Sequence, residues 1–272
     1  MSPCRKTLHN NQLLASLPPE LADVLQSRIE TVDLDAGDML YEAGTVLSHV
    51  YFPHTAIVSL VSALQDGAGA EVAVVGSEGV VGVCAFMGGG KALSSALVQR
   101  PGLAARMGAR DIADLARDFE PVMQQLLRYT HALFTHMAQT SACYRHHALA
   151  PQLCRWLLQH LDRQAGDELL ITHERIAGLL GVRREGVTGA ALQLQRAGLI
   201  RYSRGRIRVL DRRGLEQHSC ECYGVVEQAY GRLRSGTSAW PRGFGAADAG
   251  ASNMGPRTGP MSPGNGRAGA PA

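Results

Sequence analysis

Between Thr172 and Gly198 the chain reads THERIAGLLGVRREGVTGAALQLQRAG, and few folds accommodate that order of residues. Thr172 is a good helix N-cap, since its hydroxyl can accept from a backbone N–H that the first turn leaves unpaired. Glu174 follows in the first turn, where a negative charge suits the helix dipole. Ile176, Leu179 and Leu180 then form an apolar stripe at helical spacing. Gly181 can turn the chain without a Cβ penalty, and Val182 behind it is expected to plug the corner. A second helix, starting near Arg183, would bury Val187, Ala190, Ala191 and Leu194. Its other face presents Arg184, Glu185, Thr188 and Gly189 at its N-terminal end. Two helices joined in this way predict a helix-turn-helix whose second helix carries polar groups where base edges of the major groove are read.

The alternative, a plain helical hairpin in a core, is opposed by the residues after Gly198. Leu199–Tyr202 reads as a strand, Ser203-Arg204-Gly205 as a turn and Arg206–Leu210 as a returning strand, with Ile207 and Val209 on one face and Arg206 and Arg208 on the other. A basic hairpin directly after a helix-turn-helix predicts a wing. From Arg183 to Arg213 there are nine arginines against only Glu185 and Asp211, a net charge of +7, whereas the whole chain carries +3 and the remainder therefore −4. Positive charge gathered on one module points to a polyanion, here double-stranded DNA. The preference for Arg over Lys suits paired hydrogen bonds to guanine and phosphate.

The run DELLITHERIAGLLGVRREGVTGAALQLQRAGLIRYSRGRIRVLDRRGLEQHSCECY resembles the DNA-binding domain of the Crp/Fnr family of bacterial transcription regulators, covering the helix-turn-helix, the wing and the flanking helices without a gap. The resemblance implies an α+β chain: an N-terminal β-roll (jelly-roll) sensor, a long dimerisation helix and a C-terminal winged helix-turn-helix. It implies a homodimer on an inverted-repeat site, with RNA polymerase as a further partner and an unknown small-molecule effector. The expected DNA-binding residues are Thr172, Arg183, Arg184, Glu185, Thr188, Gly189, Arg204 and Arg206. Arg184 and Glu185 match the family's base-reading arginine and glutamate. An arginine that cyclic-AMP-binding members carry one turn later falls on Gly189, and Thr188 beside it could meet a thymine methyl. Arg204 and Arg206 in the wing are expected at phosphates.

Upstream, from Thr31, short β-prone runs are separated by glycines: TVDLDAG, DMLYEAG, HVYFP, AIVSLVSAL, AEVAVVG and GVVGV. Such strands predict a β-roll, and with Gly37 and Gly44 at the first two corners the order is similar to the family's cyclic-nucleotide-binding sensor. In members that bind cyclic AMP a Gly-Glu and an Arg-Ser pair hold the ribose and the cyclic phosphate. The matching stretches here are Gly82-Val83-Cys84-Ala85 and Ser94-Ser95-Ala96, so Gly82, Val83, Cys84, Ser94 and Ser95 are the candidate effector pocket, without the cation that a buried phosphate needs. Arg100 lies too far along to replace it. Gly88-Gly89-Gly90-Lys91 is no phosphate loop, because Ala85 and Ala92 stand where a glycine and a Ser/Thr are required.

The sensor is expected over 1–117. It opens on an amphipathic helix behind Pro18-Pro19, burying Leu21, Val24, Leu25 and Ile29, and closes on a helix over 108–117. The dimerisation helix is expected over 118–147, with Met123, Leu127, Thr130, Phe134, Met137, Ser141 and Tyr144 in a heptad seam. Leu126 and Leu133 add a second apolar flank through which the helix can also touch its own sensor, and a helix packed on its own barrel alone is the alternative. The winged domain comes next, over 148–234, entered through a helix with Leu153, Trp156, Leu157 and Leu161 apolar. Beyond Ser235 the sequence is Gly, Pro, Ala and Ser with few large apolar residues, which predicts a disordered tail over 235–272.

Cysteine, histidine and carboxylate placement excludes more than it offers. Cys143, His146, His147 and Cys154 form one loose group and Cys220-x-Cys222 another, and neither has the spacing of an established zinc site. They read as core or surface residues, so no metal and no cofactor is expected. The iron–sulfur members of the family carry several N-terminal cysteines, where this chain has Cys4 alone. No nucleophile triad or carboxylate pair stands out, so the chain is not expected to be an enzyme. No apolar run approaches the about 20 residues of a membrane span, and the N-terminus lacks an apolar export signal; a cytoplasmic setting without membrane contact is expected. The rival reading is a nucleotide-binding signalling module that acts through protein–protein contact, its basic wing meeting an acidic partner.

Overall fold

The structure is a computed structural model that describes residues 8–88 and 90–234; the predicted tail and Cys4 lie outside the described residues. Its N-terminal half is built by pairing strands far apart in sequence. β1 (Ile29–Leu34), β2 (Met39–Tyr41), β3 (His49–Pro53), β4 (Ile57–Ala63), β5 (Gly69–Val75), β6 (Ser95–Arg100) and β7 (Gly102–Gly108) form two antiparallel sheets, ordered β1-β7-β3 and β2-β6-β4-β5. Ile29 pairs with Met107 and His49 with Gly108, so β7 is the central strand of its sheet. The inner faces share one core, with Val50, Phe52 and Met107 from one sheet and Val58, Leu60, Ala73, Ala96 and Val98 from the other. Gly37 and Gly44 have φ of 98° and 81°, as the corner reading requires.

Three local expectations change. Ile29 begins β1 instead of completing the first amphipathic helix, which runs as α2 (Ala22–Arg28) behind a single 3-10 turn at Pro19–Leu21 and a short α1 (Gln12–Ala15). GVVGV is not a strand: Val81 makes one bridge to Tyr51, and Val83–Ala85 is a 3-10 turn. β7, with the sequence GLAARMG, has no counterpart among the β-prone runs.

α3 (Ala109–Asp118) closes the roll and leads into α4 (Glu120–His146), with Pro121 in the first turn where its missing N–H costs nothing. The predicted heptad divides between two faces. Thr130 is buried, and Met123 and Met137 pack against the sensor core with Leu126, Tyr129 and Leu133. Gly79 permits this close approach, since a Cβ there would stand 2.1 Å from the Tyr129 ring. The outward stripe is Leu127, His131, Phe134, Ala138 and Ser141, alternating by four and three residues and exposed throughout.

α5 (Leu149–Leu161), β8 (Glu168–Leu170), α6 (His173–Leu180), α7 (Arg184–Arg196), β9 (Ile200–Ser203), β10 (Arg206–Val209) and α8 (Arg212–His218) surround a second core of Leu153, Trp156, Ile176, Val187, Leu194 and Ile207, among others. α9 (Cys222–Arg234) does not stay with this domain. It returns along α4, and its Val226 and Tyr230 belong to the sensor core. Among the described residues no helix is long and apolar enough to cross a membrane.

Candidate nucleic-acid interface

The Thr172 hydroxyl accepts from Arg175 N at 3.2 Å and caps α6, a contact worth about 1 kcal/mol. Gly181 ends α6 in the left-handed region, at φ 66° and ψ 33°. α7 starts at Arg184 with Arg183 as its N-cap, and buries Val187, Ala190, Ala191 and Leu194, the four positions expected from the spacing. Arg183, Arg184, Glu185 and Gly189 are exposed or partly so at its free end, and nothing lies within 4 Å of where a Gly189 Cβ would be. Arg184 is 3.9 Å from Glu174, with both side chains largely in solvent, so this pair holds it weakly.

Thr188 is half-buried, its Oγ1 3.1 Å from His173 Nδ1. The His173 ring stacks on Tyr202 at 3.8 Å, so one side chain of α6 touches both the recognition helix and the wing. Burial, with Arg184 nearby, holds His173 below the ordinary imidazole range; it stays neutral at pH 7. Sequence reasoning missed this contact, and also Gly186, where a Cβ would stand 3.0 Å from Leu149 Cδ2 and make that side chain shift.

The wing is the predicted hairpin, completed by a third strand that sequence reasoning also missed. β10 pairs with β9 on one side and with β8 on the other. Arg204 and Gly205 turn the hairpin with φ of 48° and 76°, the paired positive values of a two-residue type I′ turn. Arginine is a costly choice there, by roughly 1 kcal/mol against glycine, and Arg204 is exposed at the tip. Ile171 N donates to Gly205 O at 2.8 Å, which fixes the tip beside Thr172. β8 also brings an acid to the wing: Glu168 lies 3.1 Å from Arg206 and 3.5 Å from Arg208.

The whole motif is seated on the sensor. Tyr144 Oη donates to Glu71 O at 2.8 Å, and Arg175 Nε donates to Gln99 Oε1 at 2.9 Å. Beneath them, His160 Nε2 lies 3.2 Å from the Glu71 carboxylate, which also accepts from the Ser59 hydroxyl. Arg163 Nε donates to Glu78 Oε1 at 2.7 Å, with both side chains at least nine-tenths buried.

Residues 31–119 match the family model of the cyclic nucleotide-binding domain, and residues 151–218 that of the Crp-like helix-turn-helix domain, together more than half of the chain. The chain belongs to the Crp/Fnr family. Its fold agrees with that of solved Crp/Fnr structures. A crp/fnr-family regulator from Eubacterium rectale superposes with a TM-score of 0.63 at 18% identity, over 77% of this chain and 98% of that one. FixK2 from Bradyrhizobium japonicum gives 0.60 at 17% identity, over 71% and 98%. A CRP-family regulator from Thermus thermophilus gives 0.58 at 22% identity, over 69% and 96%. No curated protein matched the sequence.

On the sensor side of this Crp/Fnr chain, four of the five residues expected around an effector are built into turns, and Ser95 begins β6. Gly82 has φ 105°, Val83, Cys84 and Ser94 are buried, and Ser95 Oγ accepts from Ala43 N at 3.1 Å. A cavity of about 230 Å³ in the sensor is lined instead by Leu40–Glu42, Thr45–His49 and Tyr51. Its lining holds Glu42 but neither lysine nor arginine. Burial, with Cys84 and Tyr51 adding to it, raises the Tyr41 phenol above its usual range, so this side chain stays neutral.

Proposed function

We propose that this Crp/Fnr-family chain is a sequence-specific, DNA-binding transcription regulator that binds an inverted repeat as a homodimer under control of its sensor. The carrying observation is the N-terminal end of α7. Arg184, Glu185 and Gly189 project from a helix whose opposite face is fully committed to the core, beside a wing tip that places Arg204 in solvent. Arg184 has the reach for two parallel bonds to guanine O6 and N7, and Glu185 can accept from a cytosine amino group. Arg183, Arg204 and Arg206 suit phosphates, which set the position of the domain without reading sequence.

Dimerisation uses the outward stripe of α4, where Leu127 and Phe134 are 53% and 43% exposed on an otherwise polar helix face. Control rests on the seating of the winged domain. His160–Glu71, Arg175–Gln99 and Arg163–Glu78 join the winged domain to the sensor, so an effector that alters the sensor resets the spacing of two recognition helices. Cyclic AMP does not suit this chain, whose candidate pocket residues and mapped cavity offer no cation for a cyclic phosphate. RNA polymerase is the further partner we propose for it, in the cytoplasm.

Sedimentation of the protein alone and footprinting on selected genomic fragments test the reading together. A dimer protecting two half-sites about one helical turn apart is expected. A monomer protecting one isolated half-site would overturn it.

A further inference from the structure

Two cysteine groups that are separate in sequence meet at one point of the fold. Cys143 lies in the last turn of α4 and His147 directly caps that helix, while Cys220 and Cys222 sit just before and at the start of α9. The three Sγ atoms and the imidazole nitrogen all lie within 4.8 Å of one another. Cys143 Sγ is 3.5 Å from Cys220 Sγ, and Cys222 Sγ is 3.4 Å from His147 Nδ1. Ligands around a tetrahedral zinc ion, at about 2.3 Å for sulfur and about 2.0–2.1 Å for nitrogen, stand roughly 3.5–3.8 Å apart. The neighbours His146 and Cys154, grouped with Cys143 and His147 on spacing alone, are not part of the cluster.

Packing does not account for the arrangement. Cys143, Cys220 and Cys222 are buried together in a small cluster of their own, outside both main cores, and no disulfide joins them. Their surroundings are those of a ligand set. His147 Nε2 lies 3.3 Å from Glu221 Oε1, which fixes the tautomer with its lone pair on Nδ1, facing Cys222. Gln139 Nε2 donates to Cys222 Sγ at 3.1 Å, a contact that supports a thiolate. Gln152 Nε2 donates to the carbonyl oxygens of His147 and Cys143, at 2.7 and 3.2 Å, and so holds both ligand-bearing residues from behind.

We propose that Cys143, His147, Cys220 and Cys222 form a structural site for one zinc ion, which staples α9 to the end of the long helix α4. Three thiolates and one imidazole suit zinc, and a closed set of four protein ligands leaves no position for substrate. The staple crosses 77 residues of chain between Cys143 and Cys220, and the winged domain is the loop that it closes. α4 is also the proposed dimer helix, so the ion sits at the junction of dimer, sensor and winged domain.

The test uses the full-length chain, free of affinity tags, purified under reducing conditions. Elemental analysis is expected to give about one zinc per chain, and copper or iron in its place would overturn the assignment to zinc. Cobalt(II) added to the chelator-stripped protein is expected to give the intense visible bands of a tetrahedral thiolate site, with sulfur-to-cobalt charge transfer in the near ultraviolet. Cys222→Ser and His147→Ala should lose most of the metal, whereas Cys154→Ser, a buried cysteine outside the cluster, should keep it. Because Cys222→Ser could fail to fold, the wild-type chain supplies a second measurement. Zinc should shield three thiols from a thiol reagent, and a chelator should expose them and lower the Tm. A metal-free wild-type protein that takes up no cobalt, or one in which Cys143 and Cys220 are joined as a disulfide as isolated, sinks the proposal.

Discussion

The recognition face and the seam beneath it handle charge in opposite ways. On the recognition face Arg184, Arg206 and Arg208 are more than half exposed, and their acidic neighbours, exposed except for the half-buried Glu168, stand at 3.1–3.9 Å. At the seam the cation is buried and fully engaged. Arg163 donates to Glu78 at 2.7 Å and to Gln159 O at 2.7 Å, and stands 5.2 Å over the Tyr230 ring. Arg155 beneath Tyr144 is likewise buried but only partly engaged: its Nη1 donates to Thr140 and Gln159, while Nε and Nη2 have no hydrogen-bond partner among the described residues. Surface pairs of the first kind contribute about 0–1 kcal/mol and leave the cation free to exchange a carboxylate for a phosphate. Breaking a pair of the second kind leaves a charge in low dielectric, so it defines geometry far more than it adds to stability. Under the proposed function, mobile charge serves the DNA and fixed charge serves the position of the domain that meets it.

The comparison breaks most visibly at the seam. Glu78→Ala strands Arg163 in a buried site and should destabilise the chain by about 3–5 kcal/mol, read as a lowered midpoint in urea. Arg163→Met combined with Glu78→Leu should recover most of that loss, because two apolar groups replace a pair whose desolvation nearly cancels its attraction. A single variant as stable as wild type would mean that water reaches the pair and that the seam is no different from the surface.

The winged domain was legible because its determinants are local. Gly181 turns, Val187, Ala190, Ala191 and Leu194 bury and Ile207 and Val209 alternate within a few residues of one another, and each took its expected place. The sensor was legible only in outline. GLAARMG has little intrinsic strand character, and becomes β7 because β1 and β3 flank it from far upstream in the chain. The heptad of α4 could not reveal that it mixes two stripes, since helical periodicity marks an apolar face without saying what covers it; the sensor takes Thr130, and the solvent side keeps Leu127 and Phe134. Glu168 and the Cys143–Cys220 contact were out of reach for the same reason. Both join residues 38 or more apart, and nothing in the spacing marks them as partners.

On the recognition face the largest effect belongs to Arg184. Arg184→Ala should weaken binding to the cognate duplex by about 1–3 kcal/mol and flatten preference at one base pair, with little effect on a scrambled duplex. Stability should change by less than about 0.5 kcal/mol, because the side chain is 65% exposed and its contact with Glu174 is long. Titration of both duplexes at one salt concentration is the measurement. Equal weakening on the two would show that α7 is not reading the groove.

The smallest effect sharpens what an exposed pair means. In the proposed complex a phosphate at Arg206 competes with Glu168, which Arg206 shares with Arg208. Arg206→Ala removes one phosphate contact, so it should weaken cognate and scrambled duplexes by the same factor and reduce the slope of log K against log salt by roughly 0.9. Glu168→Gln keeps the shape of β8 while removing the charge that competes with DNA for both arginines. It should tighten both duplexes by a common factor, corresponding to at most about 1 kcal/mol, with the largest gain at low salt, where that competition is least screened. Fluorescence titrations across several salt concentrations resolve both variants. Should Glu168→Gln weaken binding instead, the carboxylate would be holding the two arginines in the pose that DNA requires, and the wing would belong with the fixed charges of the seam.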